Sequence, residues 1–317
     1  MSDLILVSLS TFAAVDKAPL SMLEQSAYTF RIHGSGKRIT SYEILEEAVE
    51  ATVIVAGVES YDADTLASLP KLRCISRCGV GVDSIDLDVA RGREIVVLNT
   101  PDLPGEAVAE LAITMFLSLS RNLRAQANLM GERRWERLSA HLLARRTVGL
   151  IGLGRIGRRV AELSGAFGAR IIAFDPRGDL RVAEALGVKL VDKDELLAQA
   201  DIVSLHASGG SSEPVLIGAP ELAAMKRGAL LVNLARGGMV DESALVDALQ
   251  AGQLAGAGLD VFGEEPYAGP LCDFEQVILT PHSATYTLET RSAMESQSVE
   301  NALAFLNGTM APERQVI

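Results

Sequence analysis

The chain has 317 residues, 48% of them hydrophobic, and a formal net charge of −12, which is length and apolar content enough for two cores. The acidic excess excludes nucleic acid as a general partner, since that binding leans on Lys and Arg neutralising phosphates, but it leaves room for an anionic small molecule at a local cationic site. Cys74, Cys78 and Cys272 have neither metal nor disulfide spacing, so no metal is expected and a reducing, cytoplasmic compartment fits; no apolar run approaches the ~20 residues that span a bilayer, so no membrane is expected.

Short apolar runs alternate with helical patterns along the whole chain, which predicts an α/β architecture. Residues 4–9, 52–56, 72–76 and 95–99 read as strands of a first unit. Residues 106–121 read as a long helix opened by Pro104-Gly105 and closed by Arg121-Asn122. Residues 147–152, 170–175, 202–206, 229–235, 255–261 and 277–280 then read as strands of a second unit. The runs are apolar on both faces, as expected where helices cover both sides of a parallel sheet. A last helix over 287–306, stopped by Asn307-Gly308, follows the second unit and is placed to carry the chain back to the first. The boundaries expected are 1–98 with 284–317 for one domain, made discontinuous by that return, and 99–283 for the other.

Gly152-Leu153-Gly154-Arg155-Ile156-Gly157 follows the strand at 147 and opens a helix, the context a dinucleotide fingerprint requires. Gly152 permits the tight turn, Gly154 lets backbone approach a pyrophosphate, and Gly157 lets helix and strand pack closely. The helix N-terminus adds N–H groups and partial positive charge for the phosphates. Asp175 ends the next strand, where a carboxylate accepts hydrogen bonds from an adenosine ribose and repels a 2′-phosphate. NAD is therefore expected over NADP, with Arg177 close enough to act the other way.

Arg236, Glu265 and His282 lie in three separate blocks, each read as a strand end running into a loop, and strand C-termini of a parallel sheet meet at one edge. Hydride transfer to a carbonyl needs a proton donor, and imidazole is the natural one. His282 follows Thr280-Pro281, which stiffens the backbone that places the ring. A carboxylate beside it would hold the tautomer and favour the charged ring. Glu265 adjoins Pro266 and has the more restricted backbone; Glu264 is the competitor. Arg236 offers a planar fork for a substrate carboxylate.

With these blocks in place, the chain resembles the D-isomer-specific 2-hydroxyacid dehydrogenase family, and its D-3-phosphoglycerate dehydrogenase branch most of all. The matching segments are 79–86, Asn99-Thr100-Pro101, Val108-Ala109-Glu110, the glycine loop, the Arg236 block with Val240-Asp241, the Glu265 block and Pro281-His282. The resemblance implies Arg236 as substrate-binding residue, His282 as acid/base beside the cofactor and Glu265 as its partner. It implies a substrate carboxylate held by backbone N–H groups around Val80-Gly81-Val82. It implies Arg155 and Ile156 at the pyrophosphate, His206-Ala207 beside the cofactor, Leu234-Ala235 by the nicotinamide, and Asp260 on the nicotinamide amide. It also implies a homodimer through the nucleotide domains, with the segment around Trp135 reaching the partner.

The chain departs from the branch pattern at Ala56, where an Arg is usual, and at Ser84 and Pro104, where Asn is usual. His206-Ala207-Ser208-Gly209-Gly210 replaces His-x-Pro-Leu-Thr. Arg77 remains as a second cation near the 80–82 loop. The fold expected is α/β with two doubly wound parallel-sheet domains, a Rossmann NAD domain and a flavodoxin-like substrate domain. The function expected is hydride transfer between NAD(H) and a small 2-hydroxy or 2-keto acid. Phosphoglycerate oxidation proper, oxidation of a phosphite-like anion, and a non-catalytic NAD-sensing scaffold are the alternatives.

Overall fold

The computed structural model describes residues 3–209 and 215–317. The chain folds into two compact units, one running to Pro104 and resuming over Tyr286–Ile317, the other spanning Gly105–Thr285.

Among the described residues of the first unit, five strands form one parallel sheet: β1 (Leu4–Val7), β2 (Thr29–Ile32), β3 (Val53–Ala56), β4 (Cys74–Arg77) and β5 (Val96–Leu98). Their order is β2-β1-β3-β4-β5, the flavodoxin-like winding, whose switch point lies between β1 and β3. β3 is buried from end to end, and β1 and β4 at all but one terminal residue each. The edge strand β2, Thr-Phe-Arg-Ile, alternates exposed and half-buried residues. No continuous apolar run marks it, and the sequence reading passed over it for that reason. The other edge is covered by the chain's own C-terminus, with Val97 donating to Ile317 O at 3.2 Å and Val316 to Val97 O at 2.8 Å, so β5 keeps no open ladder.

The helix Leu288–Asn307 belongs to this unit. Thr287 caps it by accepting from Thr290 N–H, and Gly308 ends it at φ 69°, a left-handed stop that favours glycine. Met294, Val299 and Ala302 bury one face, and Ser76 Oγ of β4 donates to Ser298 O at 2.7 Å.

The second unit's sheet is also parallel throughout: β6 (Thr147–Ile151), β7 (Arg170–Phe174), β8 (Lys189–Leu190), β9 (Ile202–Leu205), β10 (Ala229–Asn233), β11 (Leu254–Leu259) and β12 (Val277–Leu279). The order β12-β11-β10-β9-β6-β7-β8 is the Rossmann winding extended by one strand, with its switch point between β6 and β9. β8 has only two residues, too few for a periodic signal. Most strands end one or two residues earlier than the sequence suggests, because the last apolar residues of each run turn into the loops that carry the site. The helix predicted over 106–121 runs Gly105–Ser120, and a second helix, Leu123–Gly131, follows with no buried residue. An apolar stripe is what sequence reading detects, and this helix buries none. No helix among the described residues is long and apolar enough to cross a membrane.

Candidate active site

The glycine loop leaves the carboxyl end of β6 at the switch point. Gly152 has φ 99°, and a Cβ there would lie 2.7 Å from the backbone of His206 and Ala207 at the end of β9. A Cβ on Gly157 would lie 2.1 Å from Gly152 O, whereas one on Gly154 would meet no protein atom within 4 Å. Two glycines are thus required by the protein's own packing, and the third keeps space over the helix Arg155–Ala166. Gly154 caps that helix without a side-chain hydrogen bond, so its first-turn N–H groups face a cradle that suits a pyrophosphate.

Asp175 lies just beyond β7. Its Oδ2 accepts from Leu153 N–H and its Oδ1 from Arg177 N–H, both at 2.8 Å. The carboxylate is fixed beside the glycine loop, each oxygen keeping a lone pair for a ribose hydroxyl. The Arg177 guanidinium reaches Ser208 Oγ at 3.4 Å. Gly210, the last residue of that block, lies outside the described residues.

His206 is buried under the loop. Nε2 pairs with Ser204 Oγ at 2.8 Å, while Nδ1 has no partner among the described residues. Desolvation brings its pKa down to about 4, so the ring is neutral at physiological pH.

At the other strand ends, the Asn233 side chain shapes the turn after β10. It accepts from Ala235 N–H at 3.0 Å and donates to Arg236 O at 2.8 Å. Leu234 and Ala235 are buried in that turn, and Arg236 Nη1 donates to Ala235 O at 2.8 Å. A Cβ on Gly237 would lie 1.9 Å from Phe262 C, so the Arg236 turn packs backbone to backbone against the loop after β11. Phe262 and Tyr267 stack with centroids 4.4 Å apart and fasten that loop from its far side.

Glu265 and His282 meet here. His282 Nδ1 lies 2.9 Å from Glu265 Oε2 and 3.2 Å from Oε1, and Oε1 also accepts from Phe262 N–H at 3.2 Å. Both side chains are partly exposed, His282 at 49% and Glu265 at 32%. Glu264 is exposed and makes no such bond among the described residues.

His282 has φ 51°, a left-handed conformation uncommon outside glycine. The turn holding it is pinned by Asp260, 1% exposed. Asp260 Oδ1 accepts from Thr280 Oγ1 at 2.5 Å and Ser283 N–H at 2.8 Å, and Oδ2 from Ala284 N–H at 2.9 Å. These bonds bracket His282 on both sides. The sequence reading gave Asp260 a cofactor contact only. Its hold on the 280–284 turn spans 20 residues or more and has no local signal.

In the first unit, the 80–82 loop follows β4. Gly79 takes φ 141°, its N–H donating to Thr100 Oγ1 at 2.9 Å. Asn99 Nδ2 holds Val80 O at 2.9 Å. Among the described residues the N–H groups of Val80, Gly81 and Val82 meet no acceptor, which suits a nest for an anion.

A Rossmann unit with an NAD-type glycine loop, a second doubly wound unit and an imidazole–carboxylate pair at the strand ends define a class of two-unit nucleotide-binding proteins. The profile of the D-isomer specific 2-hydroxyacid dehydrogenase NAD binding domain matches residues 113–284, and the chain belongs to that family. D-3-phosphoglycerate dehydrogenase of Mycobacterium bovis is 39% identical over 264 residues, 82% of this chain and 50% of that protein. Glyoxylate reductase of Korarchaeum cryptofilum is 36% identical, covering 85% of this chain and 84% of that protein. The crystal structure of D-lactate dehydrogenase from Aquifex aeolicus, complexed with NAD and lactic acid, superposes with a TM-score of 0.87 at 28% identity, over 99% of each chain. The chain spans about half the length of the curated phosphoglycerate dehydrogenases it matches. The cofactor of the second unit is NAD.

Proposed function

We propose that this protein is a dehydrogenase that interconverts a small D-2-hydroxy acid and its 2-keto acid. The observation carrying this reading is the His282–Glu265 pair at 2.9 Å, borne on strand ends of an NAD-binding unit. Bound NAD supplies the hydride acceptor and, reduced, the donor. The protein's part is to bind the acid and move a proton. Glu265 fixes the ring with Nδ1 toward the carboxylate, which leaves Nε2 to give a proton to the carbonyl oxygen in reduction and take it back in oxidation. Arg236 has the planar fork for the substrate carboxylate and adds positive charge where the oxygen becomes negative. The N–H groups of Val80, Gly81 and Val82 are suited to hold a carboxylate. Asp260 keeps the His282 turn in place.

A homodimer through the nucleotide unit is part of this reading. The helix Leu123–Gly131 has no buried residue, and Trp135 and Leu142 are 79% and 63% exposed, apolar surface that a second copy would cover. Light scattering of the purified chain reads the mass directly.

The activity test is NADH consumption with glyoxylate, pyruvate, hydroxypyruvate and 3-phosphohydroxypyruvate. Turnover of at least one keto acid is expected. NADH binding without turnover of any of them would leave the NAD-sensing scaffold as the better reading.

A further inference from the structure

The first unit has a switch point of its own, and side chains fill it. Ser8 follows β1, and Gly57 and Glu59 follow β3. Glu59 is 3% exposed. Its Oε1 accepts from Gly57 N–H and from Tyr61 OH, both at 2.9 Å, and from Ser8 Oγ–H. A Cβ on Gly57 would lie 2.7 Å from Glu59 Oε2, so the carboxylate folds back across the end of β3. Tyr61 is fully buried, and burial followed by the Glu59 charge pushes its hydroxyl well above the ordinary range. It therefore stays a donor to Glu59.

The next strand ends with the opposite charge. Arg77 of β4 stands in register with Ala56 of β3. Its guanidinium lies against Gly79, where a Cβ would meet Nη1 at 2.5 Å, and donates to Cys78 O. The carboxyl edge of this sheet is thus electrically polar. A cation sits at the root of the 80–82 loop, and a carboxylate sits at the β1–β3 crevice. Ala56, fully buried, adds no charge between them. Arg38 also touches this region, donating to Val58 O at 2.5 Å, but it is exposed and solvent screens it.

We propose that Glu59 is a specificity-determining residue that rejects an anionic substituent at the substrate end remote from the carboxylate. The substrates are then 2-keto and 2-hydroxy acids whose far end is hydrogen, alkyl or hydroxyl, not a phosphate monoester. This rests on the dehydrogenase reading given above. A phosphate monoester carries about −1.5 to −2 charge near neutral pH, and its repulsion by a fixed carboxylate grows as water is excluded. The 80–82 loop, proposed above for the substrate carboxylate, follows β4, and β3 and then β1 are the next strands across the sheet, so a far end that reaches across this edge comes toward Glu59.

The test measures kcat/KM with NADH for hydroxypyruvate and 3-phosphohydroxypyruvate in the wild type, Glu59→Gln and Ser8→Ala. The wild type should favour the unphosphorylated acid. Glu59→Gln, which keeps the shape and an acceptor oxygen but removes the charge, should raise the relative use of the phosphorylated acid by about tenfold or more, ~1.4 kcal/mol. Ser8→Ala, which loosens the cluster without changing charge, should leave that ratio within about twofold. Equal losses on both substrates in Glu59→Gln would mark the residue as structural and overturn the inference. So would a wild-type preference for the phosphorylated acid, which needs no variant to fold. No reduction of either acid, or of glyoxylate and pyruvate, by the wild type would overturn the dehydrogenase reading and this inference together.

Discussion

At the carboxyl end of β6 the chain places Gly152, and at the carboxyl end of β1 it places Ser8. Each strand borders the switch point of its sheet, and the two crevices come out differently. Between β6 and β9, Gly152 and Gly157 bring backbones to contact, and Gly154 holds room over a helix N-terminus. Between β1 and β3, Ser8, Gly57 and Tyr61 close on one carboxylate oxygen of Glu59. Winding order makes a crevice in both sheets; the side chains at the strand ends decide whether it receives a ligand or is plugged. In the plugged unit the loop proposed to hold the substrate carboxylate follows β4 instead.

The comparison can be broken first at the chemistry. His282→Ala should lower kcat for keto-acid reduction ~10²–10⁴-fold, the usual worth of a general acid, with NADH affinity by fluorescence titration nearly unchanged. Wild-type turnover in this variant would remove the strand-end pair from the mechanism.

Next comes the buried ring under the open crevice. The folded-state pKa of His206 is about 4 against an ordinary 6.5, so below pH 6.5 the unfolded chain binds a proton that the native state refuses. The stability this ring contributes is complete above pH 6.5 and is lost as pH falls through 4. The total is on the order of 3 kcal/mol. In urea titrations at several pH values, the stability gap between wild type and His206→Gln should shift against the wild type by about that amount from pH 7 to pH 4. A constant gap would mean the ring is not desolvated.

The glycines then separate packing from binding. Gly157→Ala should cost roughly 1–3 kcal/mol of stability, because the added methyl meets Gly152 O. Gly154→Ala should leave the melting temperature close to wild type and raise KM for NADH. If Gly154→Ala melts early with KM unchanged, the room over the helix is not the cofactor's. The smallest effect belongs to Asp175→Ala, which should narrow the preference for NADH over NADPH by about tenfold. A wild type that favours NADPH would give Arg177 control of that position.

What was legible in the sequence was what repeats or sits close along the chain. The β6–glycine–helix unit shows in a dozen residues, and the Arg236, Glu265 and His282 blocks each carry their own local shape. From the residues alone, the choice of Glu265 over Glu264 rests on Pro266, with the family resemblance pointing the same way, and in the structure Glu265 is the residue within hydrogen-bond reach of His282. Glu59 left no trace, since Ser8 lies 51 positions away from it and a Val-Glu-Ser-Tyr run reads as an ordinary turn. The strand Thr29–Ile32 and the helix Leu123–Gly131 were missed for the opposite reason. Each is defined by what covers it or leaves it bare, and neither carries the apolar run that marks the other elements.

The left-handed backbone at His282 sets two demands on one residue against each other. That conformation costs an ordinary side chain roughly 1–2 kcal/mol, and Gly or Asn takes it with least strain. An engineer matching residues to backbone preference would begin at position 282 and would delete the proposed proton donor with the first substitution. On the proposed mechanism durability and use pull in opposite directions there, and the three bonds of Asp260 around the turn are what hold the strained residue in place.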